Sequence, residues 1–312
     1  MNYKRLELYV WWTCNQKCTY CMEYENMQEA WLNKVTKYDI LKQLLKYKEQ
    51  WYNHVTYLWW EPFIQAVFLD ALKLARKLGY TILVTTNCTT LHLESQASKY
   101  LPYIDELFLS VEAISIEDQQ KISRTNNYVH WDLVFENISK YWKWTMLKVN
   151  IVITKDNINN LYDLVKFVVE KWIKNISITY PDINYLYYGK EYVIEKIAPT
   201  YSECVEKLVP IIEFVLKNNV EIKIPDFPFC VFPELLRNEY IKFTDDYDYA
   251  TRLKLSHNGE ELDRGNLTDF KKLPRKRKKI NKCNKCKYNN MCWWPSFVYD
   301  QLYWLDEINT IY

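Results

Sequence analysis

Three cysteines near the beginning of the chain are spaced so that they could hold a metal cluster. Cys14, Cys18 and Cys21 form a C-x3-C-x2-C sequence directly after an apolar segment typical of a β-strand. A [4Fe–4S] cluster normally takes four thiolates, so three thiolates on one loop leave one iron open to another ligand. A structural zinc ion needs four closed ligands, and spare buried thiols are the remaining alternative. The spacing favours an iron–sulfur cluster with one open iron.

A second group of cysteines lies in the last third of the chain. Cys283, Cys286 and Cys292 are spaced C-x2-C-x5-C, and Cys230 lies upstream in a turn bounded by prolines. Four thiolates can close a site around one cluster or around one zinc ion. We predict a second [4Fe–4S] cluster here, with structural zinc as the alternative.

The composition is that of a globular chain with an unusual number of thiols. Of the 312 residues, 49% are hydrophobic and 26% are charged, and the net charge of +2 argues against a nucleic-acid or membrane partner. No apolar run approaches the roughly 18 residues of a membrane span, and the charged beginning lacks the apolar segment of a signal peptide. We therefore expect a cytoplasmic protein in which most of the nine cysteines are metal ligands. Cys88 and Cys204 lie outside both groups, and Cys204 is expected to be a core thiol.

Apolar and amphipathic segments alternate along the chain and predict a parallel α/β sheet. Strands are expected at Arg5–Val10, Val55–Leu58, Thr81–Thr85, Glu106–Val111, Leu147–Ile153, Asn175–Thr179 and Val220–Ile224. Helices are expected at Lys37–Glu49, Ala66–Leu78, Leu93–Tyr100, Ile116–Ile122, Asp132–Trp142, Leu161–Lys171 and Ser202–Lys217. Six such repeats favour a barrel-like or a doubly wound sheet. In both architectures the loops that follow the strands carry the site, and the first cysteine loop follows the first strand.

The pattern changes near residue 220. Pro225, Pro228 and Pro233 interrupt it, and a basic run over residues 271–287 precedes the second group of cysteines. We predict a core domain of residues 1–220 and a tail of residues 221–312. The tail is too short and irregular to build a large core, so we expect a metal site to stabilise it. Within the basic run, residues 274–279 are interpreted as a solvated linker, with binding of RNA, an acidic peptide or nucleotide phosphate as the alternative.

The first cysteine loop and the loops after the next strands resemble the radical S-adenosylmethionine (SAM) superfamily. Trp59-Trp60-Glu61-Pro62 stands where this family has Gly-Gly-Glu-Pro, and Thr86-Asn87 stands where it has Thr-Asn-Gly. Ser110-Val111-Glu112 resembles its Ser-Ile-Asp. The remaining positions that fit the family are Arg124, Asn150 and Thr154. The likeness covers about residues 5–220.

The resemblance implies a fold and a cofactor site. The fold would be a partial (β/α)6 barrel of the TIM type, with the tail as a small, irregular, cysteine-rich auxiliary-cluster domain of the twitch or SPASM-like kind. The open iron would chelate the amino and carboxylate groups of SAM, with Glu61 holding the amino group and Tyr20 lying against the adenine. Glu112, Arg124 and Asn150 would meet the ribose or the carboxylate. The full set of expected SAM contacts is Tyr20, Trp59, Trp60, Glu61, Asn87, Ser110, Glu112, Arg124 and Asn150.

The resemblance also implies a reaction. One electron from the cluster would cleave SAM to methionine and a 5′-deoxyadenosyl radical, which would take a hydrogen atom from the substrate. An external one-electron reductant of the flavodoxin or ferredoxin type is the expected partner. We expect a peptide substrate, because the tail resembles those of peptide-modifying members, with a small metabolite and cofactor or nucleotide modification as alternatives. Asp182, Tyr185 and Tyr187 are candidate substrate contacts, although a plain loop is the simpler interpretation.

Tryptophan occupies positions where glycine is expected. The chain has 13 Trp and 4 Gly, and the two together approach the usual glycine share of about 7%. Trp59 and Trp60 would occlude the amino end of SAM, because glycine there lets the backbone approach the ligand closely. The other such positions are Trp51, Trp172, Trp294 and Trp304. Some genetic codes read UGA as Gly and others read it as Trp. We hypothesise that this gene uses a code of the first kind and was translated with one of the second, so that glycine is the natural residue at these positions. If these tryptophans are genuine, a non-catalytic iron–sulfur or zinc protein is the alternative.

Overall fold

Strands and helices alternate along the chain as the sequence predicts. The fold is known from a computed structural model that describes residues 4–9, 13–21, 35–58, 60–142, 146–183, 191–236, 250–255, 261–262, 280–289, 292 and 295–303. The strands are β1 (Arg5–Tyr9), β2 (His54–Tyr57), β3 (Thr81–Thr86), β4 (Glu106–Ser110), β5 (Met146–Val152), β6 (Asn175–Thr179), β7 (Glu221–Lys223), β8 (Ala250–Leu255) and β9 (Glu261–Leu262). The helices are α1 (Lys37–Glu49), α2 (Phe68–Lys77), α3 (Glu94–Tyr100), α4 (Ile116–Ser123), α5 (Trp131–Tyr141), α6 (Leu161–Glu170), α7 (Glu191–Ile197), α8 (Tyr201–Lys217) and α9 (Phe297–Tyr303).

The strands form a single sheet in the order β7-β6-β5-β4-β3-β2-β1-β8-β9. Each neighbouring pair from β7 to β8 is parallel, and β9 runs antiparallel to β8. A doubly wound sheet reverses its strand order at a switch point, whereas here the order from β1 to β7 runs in one direction. Right-handed crossovers then place the helices on one face, as in a TIM-like barrel. This confirms the predicted α/β class and is consistent with a partial barrel.

Local sequence signals explain where the helices begin. Thr36 and Asp39 form a capping box at the start of α1, in which each side chain accepts a hydrogen bond from the other residue's backbone N–H. Thr200 and Glu203 do the same at the start of α8. Such side chains satisfy backbone donors that the first helical turn leaves without partners.

Two of the described strands and two of the described helices were not predicted from the sequence. The segments α7, α9 and β9 are short, and β8 lies in the part of the chain beyond residue 224 where an irregular tail was expected. β7 and β8 lie beyond residue 220 and still join the sheet, and the domain boundary stays a prediction. None of the helices in the described ranges has the length and apolar character to cross a bilayer.

Candidate active site

A cavity of about 450 Å³ lies where the parallel strands end. Its wall is formed by the loops after β1 to β7, which meet at one edge because all seven strands point the same way. The volume falls within the range of about 300–1,000 Å³ typical of small-molecule sites. The residues of the predicted site that line it are Cys14, Cys18, Tyr20, Cys21, Trp60, Asn87, Ser110, Glu112 and Asn150.

The first cysteine loop is held in place by the end of α4. The backbone N–H of Lys17 donates to the carbonyl of Ser123 at 2.8 Å, and the N–H of Thr19 donates to that of Ile122 at 3.0 Å. The last carbonyls of a helix have no partner within the helix, so the loop satisfies them. The loop is thereby fixed through its backbone, and its thiols remain directed to the cavity.

Arg124, directly after α4, supports the same loop. Its Nε donates to the carbonyl of Lys17 at 2.5 Å, and its Nη2 donates to that of Cys18 at 3.3 Å. The family resemblance implied that this guanidinium would meet SAM, but Arg124 is not among the residues that line the cavity. Asn127, which the sequence analysis did not single out, adds a third bond from its Nδ2 to the carbonyl of Asn15 at 2.5 Å.

Asn87, after β3, ties that strand to the cysteine loop. Its Nδ2 donates to Asn15 Oδ1 at 3.0 Å and lies 3.7 Å from Cys14 Sγ. Thr89 donates from both its backbone N–H and its hydroxyl to Asn87 Oδ1, which fixes the amide orientation. Asn87 therefore holds the loop next to Cys14 as well as lining the cavity.

Glu61 is a fully buried carboxylate behind the cavity wall. Its Oε2 accepts from the N–H of Asn87 at 2.7 Å, and its Oε1 accepts from Thr86 Oγ1 at 2.9 Å and from the N–H of Phe63 at 3.0 Å. Burial raises the pKa of Glu61 to about 7, although these hydrogen bonds oppose the shift. Glu61 joins the loops after β2 and β3. It is not among the residues that line the cavity, so its contact with the SAM amino group stays a prediction.

Tyr20 and Glu112 form a half-buried pair in the cavity wall. The Tyr20 hydroxyl donates to Glu112 Oε1 at 2.8 Å, and the backbone N–H of Val152 donates to Glu112 Oε2 at 2.8 Å. Burial raises the pKa of Glu112 to about 8 and holds the pKa of Tyr20 well above its ordinary value. The pair joins the loops after β1 and β4 and presents one carboxylate to a ligand.

Polar side chains continue along β4, β5 and β6. Ser110, Asn150 and Thr179 all line the cavity, and Thr179 Oγ1 donates to Asn150 Oδ1 at 2.6 Å. Thr154, which also fits the family pattern, is fully buried, and its N–H donates to Asn157 Oδ1 at 2.8 Å. Asn150 is thus a candidate ligand contact, while Thr154 shapes the loop after β5.

Trp60 lines the cavity with an unusual backbone conformation. Its φ angle is 55°, in the left-handed region that bulky residues rarely adopt. Its partner in the motif, Trp59, lies outside the described residues.

The three thiols of the first loop fit an iron–sulfur cluster. They line one cavity, and burial is the main reason why the pKa of Cys14 rises to about 12 and that of Cys18 also rises. The neighbouring thiols and carboxylates raise both pKa values further. Thiolates in such a place need a positively charged partner, and the irons of a cluster supply it.

The second group of cysteines also comes together in the structure. Burial, followed by the charges of Cys230, Cys283 and Cys286, raises the pKa of Cys292 to about 12, so the four thiols lie within electrostatic reach. The N–H of Phe229 lies 3.4 Å from Cys292 Sγ. Among the described residues, no three His, Cys, Asp or Glu side chains converge closely enough to hold a single metal ion.

The far end of the cavity is acidic. Asp182, after β6, and Asp226, after β7, line it, and no Lys or Arg is among the described lining residues. Asp182 was a candidate substrate contact from the sequence, and Tyr185 and Tyr187 lie outside the described residues. Asp226 was not predicted. Its position directly after a strand, in a proline-bounded turn, was the signal that could have pointed to it.

Comparison with known proteins identifies the family of this chain. A parallel, TIM-like sheet with three thiols at its C-terminal edge defines a class of cluster-binding barrels. Residues 12–168, just over half of the chain, match the radical SAM superfamily. The chain therefore belongs to the radical SAM superfamily, a family of SAM-dependent enzymes whose members hold a [4Fe–4S] cluster.

Two curated proteins are similar over about half of the chain. An S-adenosylmethionine-dependent nucleotide dehydratase from Flammeovirga pacifica is 27% identical over 180 residues, 54% of this chain and 60% of that protein. A protein of the same name from Lacinutrix mariniflava is 22% identical over 175 residues, 53% of this chain and 36% of that protein. The chain thus matches less than two thirds of the length of either protein.

Solved structures share the fold. Streptococcus suis SuiB bound to its precursor peptide SuiA has a TM-score of 0.65 at 18% identity, over 95% of this chain and 72% of that one. The enzyme anSMEcpe with bound AdoMet and the Cp18Cys peptide has a TM-score of 0.58 at 18% identity, over 93% of this chain and 87% of that one. At this identity the likeness shows the fold alone.

Proposed function

We propose that this protein is a radical SAM enzyme that modifies a peptide. The observation that carries the proposal is the cavity itself, in which a three-thiol loop faces an acidic far end across the edge of the barrel. When bound, the cluster and SAM supply reductive cleavage of SAM and the hydrogen abstraction that follows. Cys14, Cys18 and Cys21 would hold the cluster.

The chain's own residues position the ligand and shield it. Asn87 and the end of α4 would keep the cysteine loop in place, and the Tyr20–Glu112 pair would present a carboxylate to SAM. Ser110 and Asn150 would offer polar contacts along the cavity wall. The loops of seven strands line the cavity and would shield part of it, and a reactive radical requires a site that restricts water.

The charge of the cavity favours a peptide over a nucleotide. Phosphate recognition relies on Arg and Lys, and the described lining residues provide neither. Asp182 and Asp226 instead suit an ammonium, a guanidinium or the amide N–H groups of a peptide. The peptide-bound states of SuiB and anSMEcpe, which share the fold, add support to this choice.

Nucleotide modification is the second candidate. It is favoured by the 27% identity to a nucleotide dehydratase over 180 residues. The basic run at residues 274–279 could serve phosphate, but it lies outside the described residues.

The second group of cysteines is proposed to hold an auxiliary [4Fe–4S] cluster. Support comes from the raised pKa of Cys292, to which the charges of Cys230, Cys283 and Cys286 contribute, and from the N–H of Phe229, directly before Cys230 in the turn after β7, which lies 3.4 Å from Cys292 Sγ. Structural zinc, held by the same four thiols, is the alternative.

The test is anaerobic SAM cleavage with dithionite, measured as 5′-deoxyadenosine by chromatography. The chain as written is compared with a Trp59→Gly, Trp60→Gly variant, each with a mixed peptide pool or with nucleoside triphosphates. We expect the glycine variant to cleave SAM and the peptide pool to stimulate it. Stimulation by nucleotides alone would favour the second candidate. No cleavage by either form, and no effect of SAM on the EPR signal of the fully loaded cluster, would support the non-catalytic alternative.

A further inference from the structure

Four helices in the described part of the chain end in the same hydrogen-bonded turn. At the ends of α1, α2, α6 and α8, the residue after the helix cap has a positive φ, as in a Schellman motif. These residues are Trp51 with φ 68°, Gly79 with φ 71°, Trp172 with φ 64° and Asn219 with φ 53°.

The hydrogen bonds show that the four turns are equivalent. After α2, Gly79 N–H donates to the carbonyl of Arg76 and Tyr80 N–H donates to that of Ala75. The same two bonds, with the same spacing, close α1, α6 and α8. They are Trp51 to Lys48 and Tyr52 to Tyr47, Trp172 to Val169 and Ile173 to Val168, and Asn219 to Leu216 and Val220 to Val215.

This turn selects its residue type strongly. The left-handed conformation brings Cβ close to the following carbonyl oxygen, so glycine is the usual residue there and asparagine the usual substitute. Gly79 and Asn219 obey this rule, whereas Trp51 and Trp172 do not. Their indoles offer no compensation through packing, since the two residues are 82% and 80% exposed.

Two other tryptophans lie in surroundings that are normal for a tryptophan side chain. Trp131 and Trp142 are 5% and 3% exposed, and their Nε1–H groups donate to the carbonyls of Ala113 and Ile104 at 2.9 and 2.8 Å. Neither has a positive φ. A buried indole with a satisfied N–H is the normal environment of this side chain.

We infer that the natural residue at positions 51, 60 and 172 is glycine, and that positions 131 and 142 are genuine tryptophan. Trp60 joins the first set because of its φ of 55° and its place in the cavity wall. These two sets of positions are explained if UGA encodes glycine in the source organism and UGG encodes tryptophan. With glycine at position 60, the cavity beside the cysteine loop is wider than with an indole. Positions 51 and 172 are at helix ends outside the cavity lining. The inference therefore does not depend on the proposed function.

The first test reads the codons and the natural protein. We expect UGA at positions 51, 60 and 172 and UGG at positions 131 and 142. Peptide mass spectrometry of the protein isolated from its own cells should show glycine at the first three positions. Tryptophan there would overturn the inference whatever the codons are.

The second test is thermal unfolding of recombinant variants. Trp51→Gly and Trp172→Gly are compared with Trp51→Ala and Trp172→Ala, which remove the indole but keep the left-handed penalty. We expect each glycine variant to melt about 1–4 °C above its alanine counterpart. Trp131→Gly and Trp142→Gly serve as controls that should lower the melting temperature. Equal melting of the glycine and alanine variants at both helix ends would contradict the inference.

Discussion

The guanidinium of Arg124 donates to the carbonyl of Lys17 at 2.5 Å and thereby joins the end of α4 to the first cysteine loop. A second bond reaches the carbonyl of Cys18. These contacts make Arg124 a positioning residue for the loop. Arg124→Gln should release iron to a chelator about tenfold faster than the parent chain, because a charged hydrogen bond is worth about 1.5–3 kcal/mol.

A matched control for Arg124 is available on the protein surface. Arg76 donates to Asp105 and to the carbonyl of Tyr103, far along the chain from both groups of cysteines. Arg76→Gln should leave the rate of iron release unchanged. If Arg124→Gln also leaves that rate unchanged while weakening SAM binding, Arg124 contacts the cofactor instead, as the family resemblance implied.

The carboxylate of Glu112 should contribute directly to SAM affinity. It lines the cavity and is oriented by Tyr20 and by the N–H of Val152. Glu112→Ala removes this acceptor and leaves two half-buried donors without it, so the dissociation constant for SAM should rise about 10- to 100-fold. Anaerobic calorimetry on the cluster-loaded protein measures this, with the exposed Glu117→Ala as control. An unchanged dissociation constant would remove Glu112 from the site.

The sequence indicated which loops form the site, but not which way each side chain faces. The strand–helix alternation located the loops after β1 to β5, because apolar periodicity reports burial directly. Arg124 and Glu61 are different, since both bind backbone groups of other loops, and such contacts depend on tertiary packing that no local pattern encodes. Asp226 was missed although a local signal was present, since it follows a predicted strand in a proline-bounded turn. The helix ends at Trp51 and Trp172 were recognised as glycine-like positions because a helix cap is a local signal.

His54, at the start of β2, should make stability depend on pH. Burial is the main cause that lowers its pKa to about 4, and the positive charges of Arg5 and Lys48 lower it further, against the opposite effect of Asp105. Since the folded pKa is below the unfolded value of about 6.5, the stabilisation is complete above pH 6.5 and is lost as the pH falls toward 4. His54→Gln should therefore show a shallower loss of stability between pH 6.5 and pH 4.5 in urea unfolding. Equal pH slopes for the two proteins would contradict this assignment.

The tail cysteines should account for about half of the iron in the reconstituted protein. Cys230 lies in the turn after β7, and its charge raises the pKa of Cys292 together with those of Cys283 and Cys286, so one expected ligand follows the sheet directly and three lie further along the tail. Cys230→Ala should lower the iron content from about eight to about four atoms per chain, since each cubic cluster holds four. Cys204→Ala is the matched control, because Cys204 is a fully buried thiol of α8 and should leave the iron content unchanged. Iron and zinc are both quantified by mass spectrometry. Four irons in the parent chain, with one zinc that Cys230→Ala removes, would replace the auxiliary cluster with a structural zinc site.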